Sequence, residues 1–93
     1  MRYFEKSDLK YSYTWDESKN VDYTKKIRFY DTYSLDTDNG YAVLQFINSY
    51  MNLKNYSMIS TFHKIEKAIK EDLPNGKNGH NKVKRWLNEN YFF

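Results

Sequence analysis

The stretch from Tyr41 to Leu73 constrains this chain more than any other. Val43, Phe46, Ile47, Tyr50 and Met51 recur at helical spacing, and after a polar break Met58, Ile59, Phe62, Ile65, Ile69 and Leu73 do the same. Side chains three and four apart share one face of an α-helix, so two amphipathic helices are expected, at about 40–52 and 57–72. The segment Asp36 to Gly40 is a turn by composition, and Asp38 or Asn39 can accept hydrogen bonds from the free N–H groups of the first helix. Asn55 or Ser57 can cap the second helix. Pro74 disfavours helical geometry in the residue before it, which ends that helix near Asp72. A third helix, at about 79–91, follows from Val83, Trp86, Leu87 and Tyr91, with Lys82, Arg85 and Glu89 on its opposite side.

Upstream of Asp36 the period changes from helical to alternating. Tyr11, Tyr13 and Trp15 alternate with Lys10, Ser12 and Thr14, the pattern of a strand with rings on one face. In the run from Val21 to Leu35, Ile27, Phe29, Tyr33 and Leu35 share one parity, and Lys26, Arg28 and Tyr30 the other; Asp31 interrupts the apolar set. An antiparallel hairpin over about 10–35 is the simplest account. The expected fold is therefore α+β, one domain spanning 1–93, with a small antiparallel sheet packed on three helices.

Composition decides what fills the core. Phe, Trp and Tyr number 18 against 14 Val, Ile and Leu, so rings must supply much of the buried surface. The chain has no cysteine, which excludes disulfides and thiolate chemistry and points to a reducing, cytoplasmic setting. Residues 1–10 carry five charges and no apolar run, unlike a signal peptide, and no segment approaches the ~20 apolar residues of a membrane span.

Candidate chemistry is sparse. His63 has Glu66 and Lys67 within helical reach but reads as a boundary residue of the core, and no metal site, cofactor motif or acid–base pair is expected. Asp36, Asp38 and Gly40 depart from calcium-loop spacing and read as turn and cap. An enzyme is not expected.

Two binding roles remain. Residues 1–46 hold seven Lys or Arg against eight Asp or Glu, whereas residues 47–93 hold eight against four, so the net +3 resides in the C-terminal half. Lys77, His80, Lys82, Lys84 and Arg85 gather where the third helix begins, a setting that suits phosphate, and Lys26 and Arg28 beside Tyr30 could hold unpaired bases on a sheet. A helix-turn-helix is disfavoured, because its connection is about three or four residues and the polar interval from Pro74 to Gly79 is longer.

For a protein partner, the expected contact residues are Tyr13, Trp15, Tyr30, Tyr33, Phe92 and Phe93, since rings bring large contact area at low entropic cost. Ten Asn, twelve Lys and ten Tyr against two Ala and three Arg is the usage of an AT-rich genome, as in low-GC bacteria and their phages. The expected function is a small non-enzymatic binding protein, a phage or mobile-element inhibitor that blocks a host protein or nucleoprotein machine such as a CRISPR effector. The alternative is a nucleic-acid-binding regulator.

Overall fold

Three helices form where apolar residues recur with helical period. The computed structural model describes residues 4–15, 35, 37–73 and 79–91. Helix α1 spans Gly40–Leu53, α2 spans Ile59–Lys67 and α3 spans His80–Asn90. Asn39 caps α1, its side-chain oxygen accepting the Tyr41 N–H at 3.1 Å. At the other end the chain reverses on Asn55, which sits in the left-handed region (φ 59°) that asparagine tolerates better than most residues. There Tyr56 N–H reaches the Met51 carbonyl at 2.8 Å and Asn55 N–H reaches the Asn52 carbonyl at 3.3 Å, which together satisfy carbonyls the helix leaves open.

Helix α2 starts one step later than its apolar pattern suggests. Its N-cap is Met58, which offers no capping side chain, so neither Asn55 nor Ser57 holds that position. Beyond Lys67 the helix widens into a π-helical turn, Ala68–Asp72, and the chain leaves helical geometry at Leu73. Gly79 stands at the N-cap of α3. Among the described residues, no helix is long and apolar enough to cross a membrane.

The core lies between these helices. Val43, Phe46, Ile47, Tyr50 and Met51 of α1 meet Phe62 and Ile65 of α2, Ala68 and Ile69 of the π turn, and Val83, Trp86 and Leu87 of α3. Phe4 and Leu35 are buried with them.

The expected α+β sheet is not found. Among the described residues there is no β-strand, and most of them are helical. Burial does alternate over residues 10–15, with Tyr11, Tyr13 and Trp15 partly covered and Lys10, Ser12 and Thr14 exposed. Among the described residues the segment has no neighbouring strand; it makes a parallel bridge, Thr14 to Asn39, through Thr14 N–H to Asp38 O at 2.7 Å and Gly40 N–H to Thr14 O at 3.0 Å. Other amides of the segment bond to a side chain. The second half of the expected hairpin, 21–34, lies outside the described residues.

Candidate functional site

The N-terminal arm, residues 4–15, lies along the groove between α1 and α2. Phe4 packs on Phe62 with ring centroids 4.5 Å apart and planes tilted by 32°, and both its main-chain groups are read by Asn48 of α1: its N–H donates to Oδ1 at 2.8 Å and its carbonyl accepts from Nδ2 at 3.0 Å. A 3₁₀ turn, Lys6–Asp8, follows, with Glu5 N–H bonded to the Asp8 carboxylate at 2.8 Å. His63 Nε2 donates to the Asp8 carbonyl at 2.9 Å. The imidazole is thus a partly buried support for the arm, as its boundary position suggested.

Glu66 is the centre of the arrangement. Its side chain is fully buried, and its two oxygens accept Lys10 N–H at 3.0 and 3.1 Å, Tyr11 N–H at 3.1 Å and the Tyr13 hydroxyl at 2.7 Å. A buried carboxylate is tolerated only when donors replace its water. Here Lys10, Tyr11 and Tyr13 supply them, from a segment more than fifty residues away in sequence.

The π turn completes the fastening. Three consecutive residues each tie down a different part of the chain: Lys70 Nζ reaches Thr37 O at 2.8 Å and Asp38 at 3.5 Å, Glu71 accepts the Tyr11 hydroxyl, and Asp72 accepts the Tyr91 hydroxyl at 2.6 Å. Lys70 also lies 4.7 Å from the Tyr13 ring. Nearby, Ser12, Tyr13, Thr14 and Asp38 line a shallow open hollow of about 310 Å³. Among the described residues, no group of three His, Cys, Asp or Glu is placed to hold a metal ion.

These partners shift the tyrosines. The bond to Glu71 pushes the Tyr11 pKa from 10.0 up to about 12, and burial together with Asp72 pushes Tyr91 up to about 12. Burial and Glu66 raise Tyr13 as well. The folded chain therefore keeps these phenols protonated where the unfolded chain has begun to ionise. Their contribution to stability is complete below about pH 10 and is lost as the pH rises towards and beyond 12. The urea midpoint is expected to hold steady up to about pH 9 and then to fall steeply across that window. In a Tyr11→Phe, Tyr91→Phe double variant the fall should be shallower; an equally steep fall would show that other groups govern it.

The residues expected to meet a protein partner divide. Tyr13 is turned inward onto Glu66, and Trp15 is packed edge-on against Tyr41 at 5.0 Å, with Lys6 Nζ 4.3 Å from its ring. Tyr50 donates to Asn88 at 2.7 Å. The hydroxyls of Tyr11, Tyr13, Tyr50 and Tyr91 thus end within the chain. Tyr30, Tyr33, Phe92 and Phe93 lie outside the described residues.

What the described surface does offer is aliphatic. Leu53, at the end of α1, is 66% exposed, and Met58, at the start of α2, is 65% exposed. They flank the same tight corner, with the exposed polar residues Lys54, Asn55 and Ser57 between them.

The basic set is described only in part. Lys82 and Arg85 are exposed on α3, and Lys84, between them in sequence, is partly buried, which lowers its pKa. Lys77, Lys26 and Arg28 lie outside the described residues, and of His80 only the main chain, opening α3, is described.

No protein-family model, curated protein or solved structure significantly matches this chain. Its physical features must carry the functional reading.

Proposed function

We propose that this chain is a small cytoplasmic binding protein that acts by occupying a surface of a larger protein or nucleoprotein machine, as a phage or mobile-element inhibitor would. The observation that carries this reading is the exposed pair Leu53 and Met58 at the α1–α2 corner. Large apolar side chains left in water at a rigid turn gain free energy when a partner covers them, and methionine adapts its shape to the surface it meets. The corner is held from within, because Tyr56 inside it donates its N–H to the Met51 carbonyl of α1 at 2.8 Å. The polar residues between the two side chains supply the kind of rim that surrounds an apolar contact.

The test is a photo-crosslinking amino acid placed at 53 or 58 and, as control, at exposed Lys82, in cells of the natural host. The expected result is one dominant adduct from the corner positions only. A Leu53→Glu, Met58→Glu double variant without the crosslinker should lose binding to the partner so captured, while shifting stability by no more than about 0.5 kcal/mol per site, as exposed substitutions usually do. Equal crosslinking from Lys82, or binding that survives the double variant, would rule the corner out. Duplex and single-stranded oligonucleotides titrated at two salt concentrations test the nucleic-acid alternative. Tight, steeply salt-dependent binding lost in a Lys82→Glu, Arg85→Glu variant would replace the protein reading.

A further inference from the structure

The arm is held mainly through its backbone. Three side chains on α1 and α2 engage five main-chain groups of residues 4–11: Asn48 takes the N–H and C=O of Phe4, His63 the C=O of Asp8, and Glu66 the N–H groups of Lys10 and Tyr11. These bonds occur along one groove, since the arm advances from Phe62 to Glu71 on α2 and its π turn while passing from Asn48 towards Gly40 on α1. Side chains that pair with N–H and C=O groups do not depend on what side chains the bound segment carries. Sequence enters through Phe4 against Phe62, the Tyr11 hydroxyl on Glu71 and the Tyr13 hydroxyl on Glu66. The groove thus has the two components of a peptide-binding site, main-chain acceptors and donors along its length and an aromatic pocket at one end.

We infer that the α1–α2 groove is a peptide-binding site filled in cis by residues 4–14, and that this arm opens as one unit while the three helices stay folded. Of the arm's residues only Phe4 is fully buried, whereas α1 alone buries Val43, Phe46, Ile47, Tyr50 and Met51. A segment with few buried apolar contacts opens at lower free energy than the core it covers. Opening uncovers Phe62, His63 and Glu66 together, and the segment that fits them is one with the chemistry of the arm itself: a phenylalanine at one end, a tight turn like Lys6–Asp8 after it, and two consecutive free amides six and seven residues later. The inference is independent of the Leu53–Met58 corner, which lies outside the groove, so either can fail alone.

Amide hydrogen exchange on the intact chain tests the opening. Lys10 and Tyr11 N–H are expected to exchange at least about tenfold faster than the amides of Ile47 and Ile65, with little dependence on added urea. Exchange at the same rate as those helix amides would mean the arm leaves only on global unfolding and would overturn the inference.

The recognition itself is tested with a synthetic peptide of residues 2–14 added to a Phe4→Ala, Tyr13→Phe chain, whose own arm competes less well. Amide shifts at Asn48, His63 and Glu66 are expected. The same peptide N-methylated at Lys10 and Tyr11 should not produce them. Equal binding of the methylated peptide, or shifts scattered away from the groove, would show that the groove does not read main chain. Should the double variant unfold, wild-type chain titrated with millimolar peptide gives the same two outcomes, because a tethered arm competes at roughly millimolar effective concentration.

Discussion

Replacing Glu66 with alanine is expected to remove about 2–4 kcal/mol of stability, because three donors lose their acceptor and each buried donor left unpaired costs about 1–3 kcal/mol. The sum is held below the maximum because the bonds to Lys10 and Tyr11 are only partly buried, so water can reach those amides once the carboxylate is gone. A chain of this length has about 5–14 kcal/mol in total, so the loss is a large fraction. Urea or thermal denaturation monitored by circular dichroism measures it.

Two companions separate the possible causes. Glu66→Leu restores volume without an acceptor; if hydrogen bonding is what matters, it should be no more stable than the alanine variant. Glu66→Gln keeps one acceptor oxygen but turns an amide NH₂ towards donors, and should fall between wild type and alanine. A leucine variant as stable as wild type would show that Glu66 is merely tolerated. Loss of the anchor should also free the arm before the helices, so Trp15 fluorescence should report solvent exposure at denaturant concentrations where Trp86, buried in the core, does not.

The same residue shows where sequence reasoning reaches and where it stops. The helices are legible because burial on one face repeats with helical period: the expected spans 40–52, 57–72 and 79–91 compare with Gly40–Leu53, Ile59–Lys67 continued by the π turn, and His80–Asn90. Glu66 falls on the buried stripe of α2, four residues after Phe62 and three before Ile69. A charged side chain at such a position was a visible signal that something must solvate it, although nothing local says what. Its partners lie 53–56 residues away in sequence.

The misplaced sheet has the same origin. Alternation at 10–15 reports that one side of an extended segment is covered, and says nothing about whether its amides meet a strand or a carboxylate. The hydroxyls of Tyr11, Tyr13, Tyr50 and Tyr91 are each satisfied by a residue far along the chain, as Tyr11 is by Glu71, and no local spacing announces such a partner. Met58 was assigned to the apolar face of α2, yet it precedes the helix, so the helical period does not direct its side chain. The exposed corner could not be read until that boundary was fixed.

The second large effect is expected at Gly40, and its sign depends on one ring. At most positions early in a helix, alanine in place of glycine gains up to about 1 kcal/mol by restricting the unfolded chain. At Gly40 an added Cβ would overlap the six-membered ring of Trp15, so the indole must move. That indole is held by Tyr41 edge-on and Lys6 over its ring, and its chain neighbour Thr14 accepts the Gly40 N–H at 3.0 Å, so it cannot retreat without loosening the arm. Overpacking of this kind costs about 1–3 kcal/mol, and Gly40→Ala is expected to destabilise by about 1–2 kcal/mol net. The decisive measurement is the cycle with Trp15→Ala. In that background the ring is gone, the helix-propensity gain stands alone, and Gly40→Ala should become neutral or stabilising. A cost of Gly40→Ala that is the same in both backgrounds would mean that the glycine is needed for its backbone, and that Trp15 does not set the close approach of the arm to α1.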